Sequence, residues 1–161
     1  MNAACKALTF IMAFCCLILT TNRAIAQAKN AIGVGPALGV SEDNIPGFGI
    51  AFQGEIRLNK QFSIAPSFGV EIPYVVYAGL AGRYYVQPGL YVHLGGFIRA
   101  GGDVFSDSGP GGTAGVGFIV LSTKRNVIDL NLHADVMSYE NRSRTVAGMR
   151  ITYNFSFTRL K

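Results

Sequence analysis

The sequence predicts an all-β fold, an eight-stranded antiparallel up-and-down β-barrel, from three observations. Apolar residues alternate with small or polar ones in eight successive segments, and a period of two is typical of strands whose two faces meet different surroundings. Only 14% of the 161 residues are charged, against about 25% in a typical soluble domain. The 20 glycines and 6 prolines disfavour a helical bundle, because both residues weaken helices.

Residues 1–26 have the pattern of a secretory signal peptide. A single positive charge at Lys6 precedes the apolar run 7–19, and Ala24 and Ala26 form a small-x-small cleavage site. The apolar run is short for a membrane anchor, which is the alternative interpretation. We therefore expect Sec-type export and cleavage near Ala26.

Removal of this peptide leaves one mature domain, residues 27–161, with different chemistry. All three cysteines are lost with the peptide, so the exported domain has no disulfide to stabilise it. A lipoprotein is disfavoured because Phe14, rather than a small residue, precedes Cys15. Loss of Lys6 and Arg23 lowers the formal net charge from +5 to +3, which is too small a bias to indicate nucleic-acid binding.

The first half of the mature chain contains four alternating segments, residues 31–40, 48–58, 62–72 and 76–86. In the first segment the apolar residues alternate with glycine and alanine. In the second and third segments the apolar residues alternate with small residues, glutamine and carboxylates, and in the fourth segment they alternate with tyrosine, glycine and arginine. Pro36 and Pro66 each remove a hydrogen-bond donor from a strand, so we expect each at a bulge or beside a strand end.

The second half repeats the pattern in residues 90–100, 113–120, 128–136 and 147–157. The fifth segment sets leucine, valine and isoleucine against tyrosine, histidine and arginine. The sixth has the least polar pair of faces, the seventh opposes aliphatic residues to aspartate, asparagine and histidine, and the eighth ends in an alternating aromatic run. Each segment therefore predicts one strand.

The connections alternate in length. Short, turn-like links are expected at residues 59–61, 87–89 and 122–126, and longer ones at 41–47, 101–112 and 138–145; the link near Pro73 is a short exception. Short turns on one side and long loops on the other are typical of bacterial outer-membrane barrels. An even number of strands places both chain ends on the short-turn side, which would be periplasmic.

The charges indicate which face is inside. All charged residues of the predicted strands lie on the second parity, four acidic and four basic: Glu55, Arg57, Glu71, Arg83, Arg99, Asp129, Asp135 and Arg150. A soluble surface would carry more charges, largely lysine and glutamate. Small residues with paired charges suit the narrow lumen of an eight-stranded barrel, and an uncharged outer parity suits lipid. The predicted fold class is thus a transmembrane β-barrel, with a soluble barrel as the alternative.

Alternating strand direction sorts these eight residues into two levels of the lumen. Glu55, Arg57, Arg83 and Asp129 are expected nearer the periplasmic end, and Glu71, Arg99, Asp135 and Arg150 nearer the outer end. Each level balances two acids with two bases. The sequence therefore predicts a lumen ion-pair network of two separate clusters.

With this pattern the chain resembles the small eight-stranded outer-membrane barrels, the family that includes the OmpA transmembrane domain and OmpX. The resemblance covers residues 30–157. Residues 148–157 are also similar to the C-terminal signal that the barrel-assembly machinery recognises in its clients, although four more residues follow here. The resemblance implies a monomer in the bacterial outer membrane whose partners are membrane lipid, lipopolysaccharide and the assembly machinery.

Few residues suggest a chemical site. His93 and His133 are expected to belong to a polar lumen network rather than to a catalytic or metal site, and no cofactor is expected. Some small barrels modify lipid A with a histidine and a serine at the rim, but no serine lies two residues after His133. Arg142 and Arg144 form a basic loop patch that could contact lipopolysaccharide phosphates.

The sequence favours a non-enzymatic outer-membrane barrel with a structural or interaction role through its outer loops. Two other classes stay open. One is a narrow pore or a barrel that transports small ligands, and the other is a soluble periplasmic carrier of the lipocalin type. Ion pairing in the lumen disfavours a wide pore, which needs many more strands.

Overall fold

The computed structural model describes residues 30–72, 75–100, 108–123, 125–138 and 143–157. Eight strands form a closed barrel in which each pairs antiparallel with the next and the last pairs with the first. The strands are β1 (Ala31–Ser41), β2 (Pro46–Arg57), β3 (Phe62–Ile72), β4 (Val75–Gln87), β5 (Leu90–Ala100), β6 (Gly109–Ser122), β7 (Asn126–Ser138) and β8 (Ser143–Ser156). The predicted fold class is confirmed. The predicted signal peptide lies outside the described residues, and among those described no helix is long and apolar enough to cross a membrane.

Both ends of the described chain lie at the same end of the barrel. The backbone N–H of Phe157, after β8, donates to the carbonyl oxygen of Asn30, before β1, at 3.1 Å. We call this the terminal end; the β2–β3, β4–β5 and β6–β7 connections also lie there. The strand ends that the remaining connections join lie at the opposite end, which we call the far end.

Two of the three long links predicted at the far end are shorter than expected: four residues separate β1 from β2 and four separate β7 from β8, whereas eight separate β5 from β6. Only residues 42–45 separate β1 from β2, where Asn44 adopts φ 58° and the Ser41 N–H donates to the Ile45 carbonyl oxygen at 3.1 Å. Asparagine tolerates this left-handed conformation, so a tight turn replaces the expected loop. Strands β6 and β8 also begin four residues earlier than predicted, at Gly109 and Ser143, because ladder pairing does not require apolar side chains.

The prolines lie inside strands, contrary to the expectation of a bulge or strand end. Pro36 pairs with Ile50 of β2, and Pro66 pairs with Leu80 of β4, without a register shift at either site. The gaps are on the other side of each strand. The β1–β8 ladder skips the two pairs at Gly35 and Pro36, and the β2–β3 ladder skips the two pairs at Pro66 and Ala65. Each proline therefore interrupts the hydrogen-bond ladder with one neighbouring strand and leaves the ladder with the other neighbouring strand intact.

The wall is apolar outside and polar inside. Large apolar side chains of the outward parity are exposed, including Leu94 at 73% and Ile98 at 72%. Charged side chains of the inward parity are buried, including Arg99 at 0% and Asp129 at 1%. This is the reverse of a soluble domain, in which charged residues are almost never fully buried unless paired.

The lumen also contains two apolar layers that the sequence interpretation underestimated. Near the terminal end the layer comprises Tyr85, Tyr91, Ile119 and Val127. Nearer the far end it comprises Val75, Tyr77, Phe97, Met137 and Val146. The inward face is thus not mainly small residues between the ion pairs, because large rings fill much of the space.

Glycines make room for these rings. Gly69, Gly111 and Gly117 lie directly across the ladder from Tyr77, Phe97 and Tyr91 respectively. A Cβ at any of the three glycines would collide with the opposite ring. A narrow barrel can therefore hold an inward ring wherever a neighbouring strand offers no side chain.

We predict that Gly117→Ala destabilises the barrel by about 1–3 kcal/mol, because the new methyl group overlaps the Tyr91 ring and overpacks the lumen. The measurement is the urea dependence of unfolding in detergent micelles. Gly82→Ala is the matched control, since Gly82 is exposed and a Cβ there would meet its nearest neighbour at 3.9 Å. Equal midpoints for the two variants would contradict the ring-and-glycine packing.

Candidate functional site

The terminal-end half of the lumen is organised around Arg83. Its guanidinium lies 3.2 Å from the Glu55 carboxylate and 3.0 Å from the Asp129 carboxylate. The same guanidinium stacks over the Tyr91 ring, 4.5 Å from the centroid. Strands β2, β4 and β7 supply the three charged groups, so the ion pairs span the lumen rather than link neighbouring strands.

Neutral side chains complete this terminal cluster. Tyr85 and Ser63 donate hydroxyl hydrogen bonds to Glu55 at 2.5 and 2.7 Å, and Tyr91 donates to Asp129 at 2.8 Å. The remaining acceptor positions of each carboxylate are therefore largely occupied. A buried ion pair needs these extra bonds, because the attraction between the two charges alone does not offset their loss of water.

Gln53 connects the terminal cluster to β8. Its amide nitrogen lies 3.0 Å from Asp129 and 2.7 Å from the Thr152 hydroxyl oxygen, and its carbonyl oxygen accepts a bond from Arg83 at 2.8 Å. The sequence interpretation counted Gln53 only as one polar member of the inward parity. Its parity was the available signal, but spacing alone does not show which residues meet across a lumen.

The far-end half contains a second cluster around Arg150. The guanidinium lies 3.0 Å from Glu71 and 2.7 Å from Asp135, and it stacks over Tyr77 at 4.9 Å from the ring centroid. It therefore has the same design as the terminal cluster: one arginine between two carboxylates, with a tyrosine ring beneath it. We call this the far cluster.

Arg57 and Arg99, the second arginine predicted for each level, lie apart from these two centres. Arg57 is half-buried at the terminal rim, where its Nε donates to the Asn59 carbonyl oxygen at 3.0 Å. Arg99 is fully buried, and its Nη2 donates to the Ser138 carbonyl oxygen at the end of β7 at 2.7 Å. Both arginines therefore anchor backbone carbonyl groups at opposite ends of the barrel.

The two histidines lie in register on either side of one glycine. His93 of β5 and His133 of β7 both pair with Gly115 of β6, and both are buried. His133 Nδ1 lies 3.2 Å from the Asn131 side-chain oxygen, and His133 Nε2 lies 3.6 Å from Asp135. Both histidines thus belong to the polar lining of the lumen.

Several polar atoms around the histidines have no hydrogen-bond partner among the described residues. They are His93 Nε2, His133 Nε2, Thr113 Oγ1 and Asp135 Oδ1. The ladder register brings them together, since Thr113 pairs with Asp135 two residues along the ladder, and on the same face, from the Gly115–His133 pair. Buried polar atoms of this kind normally bond to water or to a ligand. No three His, Cys, Asp or Glu side chains of the described chain converge as a metal site.

The basic patch at the far end is only partly described. Arg144 lies 3.0 Å from Asp43, which extends from the β1–β2 turn, and the Asp43 side chain is 58% exposed. Arg142 lies outside the described residues. The described part of the patch is therefore an ion pair at the rim of the barrel.

Comparison with known proteins identifies the fold. No protein-family model and no curated protein matches the chain. Among solved structures, Neisserial surface protein A matches with TM-score 0.57 at 14% identity over 79% of this chain and 96% of that chain. The N-terminal β-barrel domain of Pseudomonas aeruginosa OprF matches with TM-score 0.52 at 17% identity, over 80% of this chain and 100% of that chain. Yersinia pestis Ail, solved with the heparin analogue sucrose octasulfate, matches with TM-score 0.50 at 13% identity, over 81% of this chain and 99% of that chain. The chain has the fold of the small eight-stranded outer-membrane barrels, as the sequence predicts.

We predict that Arg83→Gln lowers the free energy of unfolding by about 3–5 kcal/mol, because it leaves the Glu55 and Asp129 carboxylates buried without their cation. Urea titration in detergent micelles measures the loss. Arg57→Gln is the control, since a half-exposed rim arginine contributes about 1 kcal/mol or less.

The double variant with Arg150→Gln tests whether the clusters are separate. None of the ion pairs or hydrogen bonds of Arg83 shares an acceptor with those of Arg150. The two losses should add to within about 0.5 kcal/mol. A larger coupling energy would show one continuous network instead of two clusters.

Proposed function

We propose that this protein is an integral outer-membrane β-barrel without enzymatic activity, whose lumen is closed by the terminal and far clusters and whose far-end loops serve a structural or interaction role. The observation that supports it best is the polarity of the wall: charged side chains are buried inside and large apolar side chains are exposed outside. Lipid is the solvent that matches such a surface.

Backbone pairing supports the same conclusion. A strand that crosses lipid must have its N–H and C=O groups bonded within the protein, which requires a closed sheet. Here β8 pairs with β1 and leaves no edge strand. A soluble carrier would instead need an apolar interior to hold its ligand, whereas this interior contains arginines, carboxylates and histidines.

The contents of the lumen support a closed barrel. Arg83 and Arg150 each connect carboxylates from different strands across the interior, and each lies against a tyrosine ring. The apolar layers add further bulk near the terminal and far ends. An aqueous channel would have to displace several buried ion pairs at once, which costs several kcal/mol for each uncompensated charge.

Two partners are also proposed, the assembly machinery and lipopolysaccharide. The C-terminal segment that resembles an assembly signal, residues 148–157, contains most of β8, the strand that closes the barrel, so recognition of this segment by the assembly machinery would guide the last pairing step. At the far rim, Arg144 could contact lipopolysaccharide phosphate together with Arg142. Ail was solved in complex with the heparin analogue sucrose octasulfate, but in this chain Asp43 neutralises part of the Arg144 charge.

A narrow pore is the second candidate function. The observation that favours it is the group of unpartnered polar atoms around His93 and His133, because buried polar atoms of this kind normally bond to water or to a ligand. A file of water between the two clusters would give a small conductance if both clusters opened.

Conductance in planar bilayers separates the two candidates. We expect the wild-type barrel to give no resolved current steps, because both clusters occupy the lumen. Replacing Arg83 and Arg150 together by alanine should produce cation-selective steps, since four carboxylates then face a wider interior. Steps from the wild-type protein would favour the pore, and the unboiled gel mobility of each sample shows that it is folded.

A charge scan of the outer face tests the membrane orientation. We predict that Leu94→Arg in the middle of β5 costs about 2–4 kcal/mol and lowers the fraction of protein that migrates as a folded band on an unboiled detergent gel, because it places a charge near the bilayer centre. Leu58→Arg, at the first residue of the β2–β3 connection, should cost about 1 kcal/mol or less. If both variants behave like wild type, the outer face meets water.

A further inference from the structure

A groove of about 530 Å³ crosses the outer wall near the terminal end. It lies over the second residue of β1 and the next-to-last residue of β8, and it extends across β2 to the middle of β3. Its outward-facing lining residues are Ile32, Val34, Phe52, Gly54, Pro66, Phe68, Tyr153 and Phe155. Its volume is in the range of small-molecule binding sites, about 300–1,000 Å³.

The groove exists because of one glycine. Gly54 belongs to the outward parity between Phe52 and Ile56, both of which are about half exposed, but it has no side chain to cover the wall. The Pro66 ring lies across from it, with Cγ 3.0 Å from the position that a Cβ of Gly54 would take. A gap surrounded by aromatic rings is the result.

The floor of the groove contains a polar atom that the ladder does not satisfy. The Leu58 N–H donates to the Phe62 carbonyl oxygen. Hydrogen-bonded pairs of an antiparallel ladder recur at every second residue, so residue 56 should bond to residue 64, and residue 54 to residue 66. Pro66 has no N–H to donate, and the β2–β3 ladder has no pair between Gly54 and Pro66. The Gly54 carbonyl oxygen therefore lacks its ladder donor.

We propose that this groove binds the acyl chain of a membrane lipid that carries a hydroxyl group. The inference rests on the proposed membrane orientation, because the groove is continuous with the apolar outer face. The rings bind the chain, and the hydroxyl group donates to the Gly54 carbonyl oxygen. An acceptor without a donor is costly in hydrocarbon, so a chain with a hydroxyl group binds better than a plain chain.

The test compares two probes, 3-hydroxytetradecanoic acid and tetradecanoic acid, titrated against the full-length mature barrel in detergent and counted by native mass spectrometry. For the wild type we expect one tight site, with the hydroxylated probe bound about three- to tenfold more tightly, the value of one net hydrogen bond. Equal affinity for the two probes would overturn the assigned role of the carbonyl group.

Pro66→Ala separates the hydrogen bond from the shape of the groove. An alanine restores the N–H that bonds the Gly54 carbonyl oxygen. The two probes should therefore bind this variant with about equal affinity, because the groove still accepts an acyl chain. Pro36→Ala is the matched control. It restores an N–H in the other interrupted ladder, between β1 and β8, and Pro36 does not line the groove, so the preference should persist there; its loss in both variants would overturn the proposal.

Filling the groove tests the site itself. Gly54→Leu should abolish the tight site, whereas Gly82→Leu, on an exposed part of the outer face with open space, should retain it. Binding that survives Gly54→Leu, or a dimer in place of a lipid adduct, would overturn the groove as a lipid site. A heat-dependent gel shift retained in every variant shows that the barrel is folded, and a tolerated Leu94→Arg would indicate failure of the membrane orientation instead.

Discussion

Closure of eight strands into a narrow ring is the constraint on which the rest of this structure depends. The small circumference leaves an interior wide enough for side chains and little else. Because the exterior is apolar, the polar groups of the chain must lie within that interior. The lumen therefore contains the ion pairs, the hydrogen-bond network and the large rings together, and the rings of Tyr77, Phe97 and Tyr91 lie where a neighbouring strand offers a glycine.

The ring-and-glycine pairing extends to the candidate site. His93 faces Gly115, and His133 faces Gly148, in the same direct cross-strand relation that Tyr91 has to Gly117. A Cβ at either glycine would lie close to an imidazole Nε2 atom. The glycines that relieve steric crowding thus also determine where polar rings can lie, and this places both histidines between the terminal and far clusters. Packing and electrostatics in this lumen have the same origin in the sequence.

The sequence was sufficient for the number of strands, their order and the face that each side chain occupies. Eight alternating segments predict eight strands, an up-and-down barrel pairs successive segments, and the period of two assigns each side chain to one face. It also assigned Glu55, Arg83 and Asp129 to one level and Glu71, Asp135 and Arg150 to the other. Periodicity could not show the tyrosine beneath each arginine or the role of Gln53. These contacts depend on the tilt and stagger of the strands, which alternation does not encode. The prolines were misjudged for a related reason, since a strand pairs with two neighbours and a missing N–H affects only one of the two ladders.

The arrangement of charge in the lumen has a consequence for its electrostatics. Each cluster has two carboxylates around one arginine, so its formal charge is −1 when all three groups are ionised. Arg57 at the terminal rim and Arg99 towards the far end restore neutrality over the eight residues. Negative charge is thus concentrated around the two central arginines, and positive charge lies towards the ends. An anion would meet an arginine on entering and then two negative clusters, whereas a cation would meet positive charge first. Both signs of ion therefore face an electrostatic barrier in addition to the steric one, and this distribution favours a lumen that is a packed core rather than a path.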